Sequence, residues 1–307
     1  MFRTSPALRG GAVIAIAATA SLVLAACSSS SNPLNSSSSK GAVVIGSANF
    51  PENELLAEIY AQALQAKGVK VTDKFNIGTR EAYYPELKKG AVSIIPEYNG
   101  TLLTVIVDPT STAASTDQVN AALTAGLPSS LEILNSASAQ DSDSVTVTQA
   151  YASQHHLTSI ADLAPLASTI TFGGPPEFPT RSDGIAGLKK NYGLTFKTFV
   201  PLDESGPITL KALTTGQVQA ADVFTTTPQI VTDHLVSLTD PKFNFAAQNV
   251  TPLVYKKAMT PTIVDTLNAI SAKLTTPALL QLDTAVIVNH DSYQSVAQGW
   301  LKAVGLT

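Results

Sequence analysis

Few residues in this chain could support disulfides, metal clusters or a basic surface. Its 307 residues include four histidines and a single cysteine, Cys27. A single cysteine excludes an intramolecular disulfide and a cysteine metal cluster. Charged residues make up only 14% of the chain, and 23 acidic side chains stand against 19 basic ones. Because the net charge of −4 is opposite in sign to that of most nucleic-acid-binding surfaces, the sequence predicts no nucleic-acid partner.

Motifs for metal binding or catalysis are also missing. His155 and His156 are adjacent and would diverge on any regular element, while His234 and His290 have no carboxylate nearby at a metal-ligand spacing. The Gly-Gly-Pro-Pro stretch at 173–176 lacks the Lys-Ser/Thr ending of a phosphate loop, and no Gly-x-Ser-x-Gly elbow occurs. The sequence therefore predicts no metal, no cofactor and no enzymatic activity.

The one long apolar run lies near the N-terminus. Two arginines within the first ten residues precede an apolar stretch from Gly11 to Leu24, which is the order of a secretory signal. Serine and threonine interrupt the run before it reaches the roughly 20 apolar residues that a membrane span needs. The tetrapeptide Leu-Ala-Ala-Cys at 24–27 resembles the lipobox of bacterial lipoproteins, which implies a signal peptide over 1–26 and a lipid on Cys27.

Serine dominates the residues that follow Cys27. Such a polar stretch buries too little apolar surface to offset its chain entropy, so residues 27–40 are predicted to be a flexible tether, and the folded part is predicted to begin near Gly41. Together with the lipobox, this arrangement predicts an exported protein that a lipid anchors at the outer face of the cell membrane.

From Val43 onwards, short β-branched runs alternate with apolar residues at helical spacing. This alternation predicts an α/β fold with a parallel sheet and helices on both of its faces. The predicted strands lie at 43–46, 69–75, 91–96, 145–147, 168–172 and 220–225, and the predicted helices lie at 55–68, 80–89, from 160, at 184–192, at 207–216 and after Thr260.

Two segments, 135–144 and 242–251, have no regular pattern, and we interpret both as chain crossings between two lobes. The expected division is residues 41–140 with 247–307 in one lobe and residues 141–246 in the other. In open α/β sheets, ligands bind beyond the carboxyl ends of the strands. The loops after Ile45, Ile95, Phe172 and Val223 are therefore the expected places for a site.

Five short motifs stand in the order seen in one transporter family. They are Ile-Gly-Ser-Ala-Asn-Phe at 45–50, Gly-Thr-Arg-Glu at 78–81, Pro-Glu-Tyr-Asn-Gly-Thr at 96–101, Glu-Phe-Pro-Thr-Arg-Ser-Asp-Gly at 177–184 and Asp-Val-Phe-Thr-Thr-Thr at 222–227. With them the chain resembles the osmoprotectant-binding lipoproteins, the substrate-binding components of ABC importers for glycine betaine, choline, carnitine and proline betaine.

The resemblance implies a two-lobed, type II-like periplasmic binding protein with a hinge that the chain crosses twice. Its ligand cleft would lie between the lobes, and the lobes would close on the ligand. The implied partners are a small cationic or zwitterionic osmolyte and an ABC permease with its ATPase. The protein itself is expected to be a monomer.

The resemblance also implies which residues contact the ligand. Aromatic rings hold a quaternary ammonium group, and hydrogen-bond donors hold a carboxylate. Tyr98 matches a cage tyrosine of the family, and Phe224 stands where a tyrosine is usual. Thr101 and Arg181 match positions with polar ligand groups, and Asn49 of the first motif is a further expected contact.

Other positions depart from the family pattern. One cage tyrosine aligns near Asp143 and another near Gln248, and Ala48 replaces a frequent lysine, so Arg181 is left as the main cationic donor. Asp143, with Asp141 beside it, could pair with a cationic or hydroxylated ligand. Choline-like, polyamine-like and polyol-like ligands therefore remain alternatives to betaines.

The leading interpretation is thus a solute-binding lipoprotein of an ABC importer that captures a small osmolyte. A ligand-sensing envelope lipoprotein and the same scaffold with altered specificity are the alternatives. An enzyme would require Asp141, Asp143 and Arg181 to act on a ligand in one cleft, and no catalytic motif accompanies them.

Overall fold

The computed structural model describes residues 41–307. The predicted signal peptide at 1–26, the lipidation site Cys27 and the tether at 27–40 lie outside the described residues. The strands are β1 (Val43–Gly46), β2 (Val71–Lys74), β3 (Ile94–Tyr98), β4 (Leu131–Ile133), β5 (Val145–Thr148), β6 (Thr171–Gly174), β7 (Thr198–Pro201), β8 (Ala220–Asp222), β9 (Leu235–Ser237) and β10 (Val250–Tyr255).

Helices follow most of these strands. The α-helices are α1 (Pro51–Ala66), α2 (Arg80–Lys89), α3 (Asn99–Thr101), α4 (Thr116–Gly126), α5 (Gln149–His155), α6 (Ile185–Tyr192), α7 (Pro207–Thr214), α8 (Gln229–Thr232), α9 (Pro261–Lys273), α10 (Thr276–Asp283) and α11 (Tyr293–Ala303). Short 3₁₀ helices lie at Ile160–Leu163, Ala167–Thr169 and Lys256–Ala258, and π-helical turns lie at Leu102–Val107 and Thr284–Val288.

The strands form two five-stranded sheets, with the orders β2-β1-β3-β10-β4 and β7-β6-β8-β5-β9. The core of the first sheet comes from residues 43–139 and 246–301, and residues 145–245 supply the clusters of the second. In the second core the ring of Phe172 stacks on that of Phe178 at 5.7 Å between centroids. The predicted α/β fold with two lobes is confirmed.

Both sheets are mixed, so the expectation of a parallel sheet is wrong. Strand β10 runs antiparallel to β3 and β4, and β5 runs antiparallel to β8 and β9. Each of these two strands follows one of the irregular segments, and the chain therefore enters the sheet from the other lobe and in the opposite direction. The remaining pairs, β1 with β2 and β3 and β6 with β7 and β8, are parallel as predicted.

The two irregular segments pair with each other where the chain passes between the sheets. Gln140 and Asn249 form an isolated antiparallel bridge, and the Asp141 N–H donates to the Gln248 carbonyl at 3.1 Å. The chain therefore crosses twice at one place, which makes these paired segments the connection between the lobes.

Helix ends follow local sequence signals. Helix α1 begins at Pro51, whose missing N–H is harmless in a first turn, and carries Glu52 and Glu54 beside the positive end of the helix dipole. Helices α2 and α6 end at Gly90 and Gly193 in the left-handed region. No helix within residues 41–307 has both the length and the apolar character that a membrane crossing needs.

Gly90 and Gly193 offer a matched test of packing. Their φ angles are 76° and 72°, so alanine at either site costs about 1 to 2 kcal/mol of backbone strain. A Cβ at Gly90 would lie 2.6 Å from Cε1 of Tyr255, whereas nothing lies within 4 Å of one at Gly193. We expect Gly90→Ala to lower the free energy of unfolding by roughly 1 to 3 kcal/mol more than Gly193→Ala does, as urea denaturation would measure. Equal losses would contradict this packing.

Candidate ligand-binding site

A small cavity lies between the lobes, beyond the carboxyl ends of β3 and β8. Eight residues line it: Arg80, Tyr98, Thr101, Asp141, Asp143, Arg181, Glu204 and Phe224. The lining thus brings together predicted site residues from the third, fourth and fifth motifs and from the first crossing. Arg80 and Glu204 were missed from the sequence, although Arg80 stands in the second motif.

Three aromatic rings form one cluster, and two of them, those of Tyr98 and Phe224, line this cavity. The ring centroid of Phe50 lies 5.2 Å from that of Phe224 and 5.9 Å from that of Tyr98. Phe224 is half-buried, whereas Tyr98 is buried and its hydroxyl donates to the carboxylate of Glu52. Phe50 belongs to the first motif but was not among the predicted ligand contacts.

Thr101 is held from behind by Gln248. The Gln248 side chain accepts from the Thr101 N–H at 2.9 Å and donates to its hydroxyl. The Thr101 hydroxyl in turn lies 3.4 Å from Oδ2 of Asp143 and donates to it. Gln248 is buried and does not line the cavity, so both ends of its amide serve to position Thr101.

Arg80 is paired with a buried carboxylate. Its Nε and Nη2 lie 3.0 Å from Oε1 and Oε2 of Glu97, and Glu97 is fully buried. The Tyr83 hydroxyl donates to the same carboxylate at 2.7 Å, and the Tyr98 N–H donates to it at 3.0 Å. Burial opposes the charge on Arg80, but Glu97 raises the pKa of Arg80 above its usual value. The guanidinium charge is therefore balanced within the protein.

Arg181 is surrounded by three carboxylates. Its Nη2 lies 3.2 Å from Oε1 of Glu177, its Nε lies 3.4 Å from Oε1 of Glu81, and its Nη1 lies 4.0 Å from Oε1 of Glu204. The sequence singled out Arg181 as the main donor for a ligand carboxylate. The structure places it at the cavity, but with protein carboxylates beside each of its nitrogens.

Carboxyl groups outnumber guanidinium groups around this cavity. Asp222 is fully buried, and within residues 41–307 neither of its oxygens has a hydrogen-bond partner. Burial, followed by the charge of Asp143, raises the pKa of Asp222 well above its usual value. Burial also raises the pKa of Glu204 to about 7 and that of Asp183 to about 6. Burial therefore favours the neutral form of these three carboxyl groups.

A second carboxyl group cluster lies behind Tyr98. Thr226 donates its hydroxyl to Oε2 of Glu52 at 2.7 Å and its N–H to Oδ1 of Asp141 at 3.0 Å. Burial and the neighbouring Asp283 raise the pKa of Glu52, and burial raises that of Asp283 to about 7. Burial disfavours the ionised form of both groups, and within residues 41–307 neither oxygen of Asp283 has a hydrogen-bond partner.

Direct contacts join the lobes around the cavity. The Thr104 hydroxyl donates to Oδ2 of Asp183 at 2.8 Å, and the Ser182 hydroxyl donates to the Thr104 carbonyl. Asn49, a predicted ligand contact, is exposed and lines a neighbouring groove instead. With its nitrogen as the donor, the Asn49 amide lies 3.2 Å from Oε2 of Glu204. Asn49 and Gln248 are thus the two predicted residues that do not line the cavity.

No group of three or more His, Cys, Asp and Glu side chains in residues 41–307 is arranged to hold a metal ion. The acidic residues of the cavity are spread over several elements rather than gathered around one point. What the lining offers is two aromatic side chains and three acidic side chains against two basic ones, which together suit a small organic cation.

The raised pKa values make the free energy of unfolding depend on pH. A carboxyl whose pKa is raised in the folded protein stabilises the fold below its unfolded pKa and loses that contribution as pH rises through the folded value. For Asp283 this window runs from about 4 to about 7. We therefore expect unfolding to become easier as pH rises across the window.

Asp283→Asn, which cannot ionise, should reduce that pH-dependent loss by an amount on the order of a few kcal/mol. The exposed Asp265 on α9 provides the control, because Asp265→Asn removes a carboxyl of the same kind from the surface. Urea unfolding from pH 4 to pH 8 measures both slopes. An unchanged slope in Asp283→Asn would refute a raised pKa at this buried carboxyl.

Comparison with known proteins identifies the same architecture elsewhere. A glycine betaine-binding protein, YehZ, of Escherichia coli K12 is 28% identical over 278 residues, which cover 86% of this chain and 91% of the relative. A glycine betaine/carnitine/choline ABC transporter structure superimposes with a TM-score of 0.69 at 22% identity and covers 86% of this chain and 99% of that one. A choline-binding ABC transporter protein in complex with choline superimposes with a TM-score of 0.64 at 13% identity and covers 86% of this chain and 88% of that one.

The model of one family spans nearly all of the described residues. It is the substrate-binding domain of ABC-type glycine betaine transport systems, and it matches residues 41–303. The resemblance predicted from the five motifs is thereby confirmed. This chain belongs to the family of substrate-binding domains of ABC-type glycine betaine transport systems.

Proposed function

We propose that this protein is the solute-binding lipoprotein of an ABC importer and that it captures a small quaternary ammonium osmolyte without changing it chemically. The observation that carries this proposal is the cavity between the lobes, which combines aromatic faces with an excess of carboxyl groups. The names of the relatives support it, since they bind glycine betaine or choline.

The binding step uses two kinds of attraction. A quaternary ammonium group has no N–H to donate, so ring faces and negative charge must hold it. Phe224 presents the half-buried ring of the cavity, and Asp143 presents a half-buried carboxylate. Thr101, fixed by Gln248, offers a hydroxyl oxygen to a polar group of the ligand. These three residues are the contacts that we propose first.

We further propose that the lobes are residues 41–140 with 247–307 and residues 141–246. The strand composition of the two sheets supports this division, as does the bridge between Gln140 and Asn249 at the crossing. Closure around a ligand would then be a rotation about the paired segments, with the contact between Thr104 and Asp183 formed in the closed form.

The partners that we propose are the other components of the importer. We propose that the protein works as a monomer and delivers its ligand to a permease driven by an ATPase. Cys27 would carry the lipid that keeps the protein at the outer face of the cell membrane, on a tether formed by residues 27–40. Two acyl chains, or one chain with a second signal, are needed for stable anchoring.

Phe224→Ala tests the aromatic face. Removing the ring should lower the affinity for choline by about tenfold or more, because a desolvated cation loses about 2 kcal/mol with such a partner. Phe243→Ala is the matched control, since Phe243 is 68% exposed and does not line the cavity. Isothermal titration calorimetry measures both. Equal affinities in the two variants would remove Phe224 from the site, and absence of binding by any quaternary ammonium compound would refute the function.

Cys27→Ser tests the anchor. In a bacterial host fed a labelled fatty acid, the natural chain should incorporate label and sediment with membranes, because the acylated cysteine holds it there. The variant should incorporate no label and should appear as unprocessed precursor or soluble protein. Ser28→Ala, one residue away, should behave as the natural chain. Labelling of Cys27→Ser equal to that of the natural chain would contradict lipidation at this residue.

A further inference from the structure

A ligand that carries a carboxylate needs a positive charge in the cavity, and the two guanidinium groups of the lining are already paired with protein carboxylates. The charge of Arg80 is balanced by Glu97, with Glu204 as a second acidic neighbour. Arg181 lies beside Glu81, Glu177 and Glu204. Both guanidinium groups therefore present little net positive charge to a bound molecule.

Several other donors on the cavity wall are bonded to protein acceptors. The Tyr98 hydroxyl donates to Glu52, and the Thr101 hydroxyl donates to Asp143. The backbone N–H of Thr101 donates to Gln248, and that of Phe224 donates to the hydroxyl of Ser205 at 2.9 Å. A carboxylate placed here would compete with these acceptors for the same protons.

Acceptors, in contrast, are in surplus. Asp222 lies fully buried at the end of β8, and within residues 41–307 both of its oxygens lack a donor. Burial, followed by the charge of Asp143, raises its pKa well above the usual value. The lining itself holds three acidic side chains, Asp141, Asp143 and Glu204, against Arg80 and Arg181, and both guanidinium groups are already paired with protein carboxylates. A cationic ligand would therefore complement the acidic side chains of the lining.

We propose that this cavity selects a quaternary ammonium cation without a carboxylate, such as an amino alcohol, over a zwitterion, and that Asp143 with Glu204 determines this choice. The inference rests on the proposed function and narrows its ligand class. The half-buried Asp143 accepts a hydrogen bond from the Thr101 hydroxyl at 3.4 Å, and Oε1 of Glu204 lies 4.0 Å from Nη1 of Arg181 in the same lining. In a zwitterion, the attraction between these acidic residues and the ammonium group would be offset by their repulsion of the ligand carboxylate.

Choline and glycine betaine form a matched pair of probes, because both carry a trimethylammonium group and differ in a hydroxymethyl group against a carboxylate. Calorimetric titration of the purified chain at pH 7.5 should give at least tenfold tighter binding of choline. Glycine betaine binding as tightly as choline, or more tightly, would overturn the inference while leaving the proposed function intact. Binding of neither compound would overturn the proposed function itself.

Two variants test the residues. Asp143→Asn should weaken choline binding at least tenfold and leave glycine betaine binding unchanged or improved, so that the ratio of the two affinities falls toward one. Glu204→Gln should shift the ratio in the same direction, and it replaces Asp143→Asn as the test if that variant is poorly folded. Asp265→Asn, on the exposed face of α9, should leave the ratio unchanged. A ratio that stays constant in both cavity variants would remove these carboxylates from the choice.

Discussion

The pair formed by Arg80 and Glu97 supports the half of the cavity that the first lobe provides. Glu97 is fully buried at β3, and Arg80 reaches it from the first turn of α2 through two charged hydrogen bonds. The same carboxylate accepts from Tyr83 and from the backbone of Tyr98, so it fixes both the helix and a ring of the cavity wall. Removing one partner of such a buried pair leaves an uncompensated charge, which typically costs about 3 to 5 kcal/mol. The pair therefore sets the shape of the wall, and for that reason its charges are not available to a ligand.

Both of the lobes that we propose carry acidic side chains near the cavity. Asp143, Asp183 and Glu204 lie in the second lobe, and Glu52, Glu81 and Glu97 lie in the first. Cross-lobe bonds such as Thr104 to Asp183 and Thr226 to Glu52 each contribute only about 1 kcal/mol net. Repulsion between partly buried carboxylates is of similar size and opposes closure. A cation held against Asp143 would reduce that repulsion. The charge of the ligand would therefore lower the free energy of the closed form relative to the open one.

Sequence patterns predicted the elements with clear ends and missed those without them. Helices α2 and α6 were found because Gly90 and Gly193 mark their last turns, whereas β10 was missed because its first residues belong to an irregular segment and Pro252 lies inside it. Strand direction could not be read from alternation, since it depends on which lobe the chain comes from. In the site, motifs located Tyr98, Thr101 and Arg181, but the partners of Arg181 lie 4, 23 and 100 residues away. Which carboxylates lie beside Arg181 is decided by the folded chain and cannot be read from a motif. The same holds for Asp222, whose oxygens have no hydrogen-bond partner within residues 41–307.

The absence of further aromatic rings from the cavity affects the binding free energy of a cation differently from that of a zwitterion. Each ring face contributes about 0.5 to 2 kcal/mol to an ammonium group, and the family pattern has a tyrosine near Asp143 that this chain lacks. A carboxylate about 4 Å from the ammonium contributes roughly 4 kcal/mol at the effective dielectric constant of a protein surface, before desolvation is subtracted. One aspartate can therefore offset a missing ring when the ligand is purely cationic. For a zwitterion the same aspartate repels the carboxylate a few ångströms away, and the balanced charge on Arg181 offers no compensation.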